Sequence, residues 1–506
     1  MLKYFRMPHL RQLTLSINRQ KLTNKGKSFS VSPVGLVCLF VILLLVTVNF
    51  IFYSSGAISE LQHLEYMKII LVLESVLLAY IFTIVPEGIL NPYNLFLFNF
   101  VLFLVSRAAI DLIGLGDFGE DATFSVASFS IATQLETLFQ LITSLFGFLL
   151  GFLLAFRLDH RSMSYVSENA TSLIIRNQRL FFAISIGLFF VVIAFKYEVL
   201  MFVMTEGYIA LQSGEFGSKP FSVFLAEGFF WFFSLSLLSI SNSKGIKRGC
   251  LVFIMAILLV DLASGYRGKS MALILILLWF AEFRGAIKFS IPKLGIGIFT
   301  LIWVMILINE VRAGRDMFRF DSDLYILGFS IFFWVQGFSV HVISYSNAYI
   351  NELSADFSVS NLFAIITMQL DKLGNALFGS KVMDLNYMLD NHGYSNYLLS
   401  NAVNSSNFNS GFTMGTSFIA EFNMIGGWVA VLIGTFILGF FFTLAYERFK
   451  RSAFGVALIL IIYPELIYIP RNTFFLFLNN NLIELFCLAL LLGLLWLVKT
   501  KKQWSN

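Results

Sequence analysis

The stretch GCLVFIMAILLVDLASGYRGKSMALILILLWFAEF (249–283) shows how this chain folds. Two apolar runs, 249–264 and 270–284, flank the short turn SGYRGKS. Each run is close to the lower limit of the roughly 17–25 residues that a transmembrane helix needs. Glycines and the charged residues Arg267 and Lys269 interrupt what would otherwise be one long apolar segment. The stretch therefore predicts a tight helical hairpin in a membrane protein.

The composition of the whole chain agrees with this prediction. Of its 506 residues 58% are hydrophobic and 13% are charged, whereas about a quarter of the residues of a soluble domain are charged. The mean hydropathy is +0.80. Soluble domains could not bury this much apolar surface, so we predict an all-α polytopic integral membrane protein.

Apolar runs recur along the chain and predict about 12 transmembrane helices. The predicted helices lie near 34–54, 67–85, 92–114, 132–156, 180–200, 222–241, 249–264, 270–284, 293–308, 414–445, 453–470 and 480–498. The predicted organisation is a basic cytoplasmic tail (1–33), helices one to nine (34–308), a large periplasmic loop (309–413), helices ten to twelve (414–498) and a cytoplasmic tail (499–506).

The distribution of basic residues predicts the sidedness. Lys and Arg are enriched in cytoplasmic loops, and a twelve-helix topology with both termini inside places 23 of the 35 in cytoplasmic segments. The first two outer loops, 55–66 and 115–131, contain none. The polar N-terminal segment is too long for a cleaved signal peptide, so the first apolar run is expected to stay as a helix.

The large outer loop contains the apolar segment LYILGFSIFFWVQGFSVHVISYSNAYI (324–350), which Gln336 and His341 interrupt. We expect one or two amphipathic or re-entrant helices here, which either lie on the outer leaflet or dip into it. Irregular structure at membrane depth is tolerated where protein covers it or water fills a cavity.

Several classes of site are not expected. Cys38, Cys250 and Cys487 lie far apart in apolar segments, and the five His residues lack ligand spacing. We therefore expect no disulfide framework, no metal site and no cofactor. The net charge of +5 is small, and we attribute it to the basic residues of the predicted cytoplasmic segments. No nucleic-acid partner is therefore expected.

Six basic residues stand at predicted outer ends of helices, against the usual charge bias: Arg267, Lys269, Arg312, Arg315, Arg319 and Arg471. Arginine binds phosphate through a planar, permanently charged fork, so these residues could bind a lipid-linked diphosphate. The alternative is that they reach lipid headgroups or pair with nearby acids: Asp261, Glu310, Asp316 and Asp321.

His392 lies in the polar part of the outer loop, within the sequence LDNHGYSNYL. A neutral imidazole there could accept a proton from a sugar hydroxyl, or it could be an ordinary surface His. Asp390 could orient it, and Glu421 is an alternative base. His341, on an apolar helix, is expected to be a hydrogen-bonded packing residue.

Charges inside the predicted helices have two interpretations. Arg107 and Asp111 are four residues apart and could form a structural pair, which Glu74 could join. Glu465, beside Pro464, could face a cavity or accept from a neighbouring Arg. An intramembrane charge also suggests a functional site.

Four local motifs resemble the O-antigen polymerase (Wzy-type) family, within a wider group that includes O-antigen ligases. They are SGYRGKSMAL (264–273), VRAGRDMF (311–318), NHGYSN (391–396) and SGFTMGTSFIAEFNMIGGWVAVLIG (410–434). The architecture is also similar, with many helices, cytoplasmic ends and one large outer loop in the C-terminal half. One departure is that neither Arg267 nor Arg312 is followed by Gly after ten residues.

The resemblance implies a multi-pass protein of the bacterial inner membrane that polymerises undecaprenyl-diphosphate-linked oligosaccharide units on the periplasmic face. It implies a glycosyltransferase that needs no metal, with the lipid bilayer, a chain-length regulator and a repeat-unit flippase as partners. We predict catalytic roles for His392, Arg267, Arg312 and Arg315, and substrate binding by Lys269, Arg319, Arg471 and Glu421.

Two alternatives remain at this stage. An O-antigen ligase uses the same donor with a lipid A–core acceptor. An exporter of lipid-linked sugars would place charges along a path through the helices, whereas here they gather at one face, and no internal repeat is found. The exporter is therefore the least favoured.

Overall fold

The computed structural model describes most of the chain. The described residues are 33–55, 59–83, 88–120, 128–158, 164–212, 216–217, 219–290, 292–293, 295–297, 299–300, 303, 330–378, 385–409, 413–491 and 493. They are predominantly helical, and within these ranges the β-structure is limited to one isolated bridge between Glu120 and Ser128. The predicted all-α class is confirmed.

The first half of the chain forms ten described helices. They are α1 (Pro33–Ser55), α2 (Glu60–Thr83), α3 (Pro92–Phe100), α4 (Ser106–Leu112), α5 (Ile131–Arg157), α6 (Ser164–Arg176), α7 (Gln178–Gln212), α8 (Phe221–Ile240), α9 (Lys244–Ser264) and α10 (Arg267–Phe283). A π-helical segment, Val101–Val105, joins α3 to α4.

The second half begins with helical residues 330–336 and a 3₁₀ turn, Gly337–Ser339. Its further described helices are α11 (Val340–Ala348), α12 (Ile350–Asp356), α13 (Ala364–Phe378), α14 (Leu385–His392), α15 (Ser395–Val403), α16 (Ser405–Asn409), α17 (Phe418–Phe449), α18 (Ala453–Tyr468), α19 (Leu476–Asn480) and α20 (Leu482–Leu491).

Within the described ranges, seven helical segments are long and apolar enough to cross a membrane. They are Glu60–Thr83, Pro92–Leu112, Ile131–Arg157, Gln178–Gly207, Phe221–Ile240, Phe418–Phe449 and Ala453–Arg471. Each overlaps one of the predicted transmembrane helices. Most of the predicted ninth helix, the start of the large loop and both tails lie outside the described residues, so the count of twelve stays a prediction.

The predicted break in the opening stretch is present between α9 and α10. Gly265 has φ 95°, in the left-handed region that favours glycine. The amide of Tyr266 donates to the carbonyl of Asp261 at 2.9 Å, which closes the end of α9. Helix α10 then begins at Arg267, three residues earlier than the predicted apolar run.

Helices α5 and α17 pack through small residues. Gly147 and Gly151 of α5 face Thr435 and the backbone of Phe436 on α17, and a Cβ at either glycine would overlap these atoms. The spacing is Gly-x-x-x-Gly, which allows two helices to approach closely in a membrane. Helix α17 itself bends at Gly427, where φ is 61°.

Helix α11 belongs to the apolar segment 324–350 and lies against α5 and α17. All residues from Val340 to Asn347 are buried. Protein therefore covers α11, and the expectation that this segment lies on the outer leaflet or dips into it stays a prediction.

A buried polar network ties α11 to its neighbours. The amide nitrogen of Gln140 donates to the side-chain oxygens of Asn347 at 2.8 Å and Asn423 at 2.7 Å. Asn347 in turn donates to Thr137 Oγ1 at 3.1 Å, and Asn423 donates to Asn347 at 2.8 Å. The amides therefore satisfy one another in a place where water is excluded.

Replacing Asn347 with leucine should destabilise the protein by about 1–3 kcal/mol, because the buried amides of Gln140 and Asn423 lose the acceptor Oδ1 and Gln140 Oε1 loses a donor. Thermal unfolding of the purified protein in detergent measures this. The matched control is Asn351→Leu, at an exposed position of α12, which should melt like the wild type. Equal melting temperatures for the two variants would contradict the prediction.

The two charged residues of α4, Arg107 and Asp111, have the spacing of a helical pair but contact residues of other segments. Asp111 forms an ion pair with Lys68 of α2. Arg107 donates to His341 Nε2 at 2.8 Å and stacks on Trp334 at 4.1 Å. His341 is fully buried, so its predicted role as a hydrogen-bonded packing residue is confirmed.

Candidate functional site

The turn before α10 is held against the end of α18. Gly268 packs on the ring of Tyr468, where a Cβ would overlap the ring. One residue later, Lys269 Nζ lies 3.6 Å from Glu465 Oε1. Glu465 is buried and lines a small cavity, in agreement with the first interpretation of this carboxylate, and the basic residue beside it is Lys269 where the second interpretation had an Arg.

Three lysines and their carboxylates lie around the same turn. Lys196 Nζ is 2.7 Å from Asp261 Oδ1 and 3.4 Å from Glu227 Oε1, and Lys219 also pairs with Glu227. Lys196 lies 5.4 Å from the ring centre of Tyr266. Burial lowers the pKa of Lys219, an effect that the Glu227 carboxylate partly offsets. We call Lys196, Lys219, Lys269, Glu227, Asp261 and Glu465 the lysine–carboxylate cluster.

Arg471 stands at the end of the α18 segment and is exposed. Its guanidinium lies 5.1 Å from the ring centre of Phe103 in the π-helical segment, and Nη1 is 3.5 Å from Gln336 Oε1. Phe103 also packs edge-on against Tyr468 at 5.4 Å. Single π-helical turns recur at functional sites, and this one supports the exposed Arg.

Glu421 joins two chain segments from within the protein. Its fully buried carboxylate accepts from Ser395 Oγ at 2.7 Å and from the amide of Phe474 at 2.8 Å. Burial raises the pKa of the adjacent Tyr394, and the Glu421 charge adds to the shift. The Glu421 carboxylate therefore connects the chain at Ser395 to the chain at Phe474, and its contact with a substrate stays a prediction.

His392 forms a compact group with side chains of α13. Its Nδ1 is 3.1 Å from Thr367 Oγ1, and its Nε2 is 3.3 Å from Asp371 Oδ2, at ion-pair distance but without aligned hydrogen-bond geometry. Tyr387 donates to the same carboxylate at 3.2 Å. The His392 side chain is 6% exposed and that of Asp371 is 48% exposed.

One ten-residue segment, Glu465–Phe474, links these groups. Lys269 pairs with its first residue and Arg471 belongs to it. Glu421 accepts a hydrogen bond from the amide of the last residue of the segment, Phe474. Glu421 also accepts one from Ser395, which lies three residues after His392 in the chain. The segment therefore contains Arg471, contacts Lys269 and Glu421 directly, and is connected to the chain next to His392 through Ser395, although these residues come from distant parts of the sequence.

The side chains of the other predicted site residues lie outside the described part of the structure. Arg312, Arg315 and Arg319 lie outside the described residues. Arg267 starts α10, but only its backbone is described. Sequence reasoning missed Asp371, which sits 21 residues from His392 in the chain, and named Asp390 as its orienting carboxylate. Among the described residues, His, Cys, Asp and Glu form no group of three that could hold a metal ion.

A family model for the O-antigen polysaccharide polymerase Wzy matches residues 35–502, nearly the whole chain. The chain belongs to this family. Comparison with curated proteins and comparison with solved structures each give no match. Membership supports function as an O-antigen polymerase, a glycosyltransferase-type enzyme that acts on lipid-linked oligosaccharide repeat units, and identifies a multi-pass membrane protein.

Proposed function

We propose that the protein extends a surface polysaccharide by transferring a growing glycan from undecaprenyl diphosphate to an incoming lipid-linked repeat unit, on the periplasmic face of the inner membrane. The observation that carries this proposal is that Glu465–Phe474 contains Arg471, contacts Lys269 and Glu421, and through Glu421 and Ser395 is connected to the chain next to His392. Both termini are then cytoplasmic, as the basic tails indicate, and a chain-length regulator and a flippase remain predicted partners.

The transfer step requires charge neutralisation at the donor. The bond between the anomeric carbon and the diphosphate oxygen breaks, and undecaprenyl diphosphate leaves with the electron pair. Arg471 is exposed, and its guanidinium lies over the ring of Phe103. A planar, permanently charged guanidinium held in this way suits a diphosphate. Arg267, Arg312 and Arg315 are proposed to join it, with Lys269 and Arg319 at the periphery. No metal is required in this proposal.

The acceptor hydroxyl must lose its proton as its oxygen bonds to the anomeric carbon. Asp371 is accessible and His392 lies behind it. We therefore propose that Asp371 contacts the hydroxyl and that the proton passes to Nε2 of His392. Asp371 and Thr367 can both accept hydrogen bonds, so the resulting imidazolium would be stabilised.

Deleting the gene tests the proposed function. We expect the surface polysaccharide to change from a ladder to core plus a single repeat unit on a gel, and a plasmid copy of the gene to restore the ladder. An O-antigen ligase is the runner-up, and its loss would give bare core instead. An unchanged ladder in the deletion strain would overturn both activities.

A further inference from the structure

A polar cavity of 180 Å³ lies beside the lysine–carboxylate cluster. It forms where α8, α10 and α20 begin, and Gln369 of α13 closes one side. Gly228 of α8 packs so closely on Ile483 of α20 that a Cβ would overlap that side chain. The exposed fractions of Lys219 (32%) and Lys269 (41%) show that the cavity reaches the surface.

The charges around the cavity balance. Lys219 and Lys269 supply two ammonium groups, and Glu227 and Glu484 supply two carboxylates. A diphosphate would be repelled by the carboxylates, and a metal cation by the lysines. A neutral ligand that both donates and accepts hydrogen bonds is therefore the best complement to this lining.

The carboxylate of Glu484 is attracted by the charge of Lys269 but is not in direct contact with it. Its side chain is 4% exposed and lines the cavity, and among the described residues none forms a hydrogen bond or an ion pair with its carboxylate. A buried carboxylate that accepts no hydrogen bond is costly. A hydroxyl of a bound ligand would satisfy it, and Gln369, which also lines the cavity, could hydrogen-bond the same ligand.

Trp231 and Phe224 complete the lining with aromatic surface. Trp231 is held in place, with its indole nitrogen 3.5 Å from Glu227 Oε1. Carboxylates, an amide, ammonium groups and aromatic rings together match the hydroxyls and the C–H faces of a sugar ring. The volume is below the roughly 300–1,000 Å³ of a site for a drug-sized ligand, so the cavity suits a single ring.

We propose that this cavity binds one sugar residue of the lipid-linked repeat unit and makes the enzyme selective for that sugar. The inference rests on the proposed function. Gln369 lies on α13 between Thr367 and Asp371, so the same helix would contact the bound sugar and carry the partners of His392. Binding of the correct sugar would thus help to position Asp371 for the transfer step.

Saturation-transfer NMR on the purified full-length protein tests the inference, in a detergent whose headgroup contains no sugar. The probes are the methyl glycosides of glucose, galactose, mannose and N-acetylglucosamine. We expect at least one glycoside to bind the wild type and to bind Glu484→Gln about tenfold more weakly, because the variant loses a charge-assisted hydrogen bond. Glu168→Gln, at an exposed position of α6, is the matched control and should bind like the wild type.

Gln369→Ala provides a second variant if Glu484→Gln fails to fold, since it removes only a half-buried side chain of α13. It should also weaken binding. Absence of binding by all four glycosides to the wild type, or wild-type binding by the folded variants, would overturn the inference. The deletion experiment is independent of this result: an unchanged ladder together with specific glycoside binding would reject the polymerase function and keep the sugar site.

Discussion

Replacing Lys196 with methionine is expected to destabilise the protein by about 3–5 kcal/mol, the cost of breaking a buried ion pair by removing one partner. Lys196 contacts both Asp261 and Glu227, and all three side chains are largely buried. Glu227 keeps its pairing with Lys219, but Asp261 loses the ammonium group at 2.7 Å. The unpaired carboxylate would therefore be the main source of the loss.

A double variant tests whether the unpaired carboxylate of Asp261 causes the loss of stability. Lys196→Met combined with Asp261→Leu removes both charges and should recover much of the lost stability, because a buried ion pair contributes little relative to an apolar replacement. Lys244→Met, at an exposed position of α9, is the control. Denaturant unfolding in detergent micelles measures the free energies, and a Lys196→Met protein as stable as the control would contradict the prediction.

The helical architecture was largely predictable because length and hydropathy determine which segments can cross a bilayer. The seven described spanning segments all overlap predicted helices. The hairpin at Ser264–Arg267 was predictable because glycine and charge interrupt an apolar run. These features depend on residues that are neighbours in the chain.

Contacts between distant segments were not predictable in this way. Arg107 and Asp111 have the spacing of a helical pair, yet Asp111 pairs with Lys68, and Arg107 contacts His341. Which helices meet is decided by packing, as at Gly147 and its partner Thr435. A single sequence carries little information about such contacts.

In the candidate site, too, local features could be predicted from the sequence, whereas contacts between distant segments could not. Residue chemistry and position at predicted helix ends were enough to select Lys269 and Arg471 as site residues. Asp390 was offered as a possible orienting carboxylate for His392 because it is close in sequence, whereas the structure brings Asp371 of α13 to the imidazole. Glu421 was selected as a substrate ligand, which stays a prediction, but its buried hydrogen bonds to Ser395 and Phe474 were not predicted.

Replacing Asp371 with asparagine should reduce the rate of glycosyl transfer about 10²–10⁴-fold, the range typical of a lost general base. Asparagine is close in shape and can still contact Tyr387 and His392, but it cannot take up a proton from the acceptor hydroxyl. Donor binding should be unchanged, since the diphosphate is proposed to contact the arginines. His392→Ala should lower the rate to a similar extent.

A reconstituted assay with defined lipid-linked repeat units separates the two quantities, because donor binding and the product ladder are measured independently. Asp390→Asn is the matched control, since Asp390 is exposed on the same helix as His392 and should polymerise at the wild-type rate. The double variant of Asp371 and His392 should be little slower than either single variant, because residues that act as a unit are not additive. If Asp371→Asn polymerises as fast as Asp390→Asn, the proton is removed elsewhere, and the pair has only a structural role in the loop.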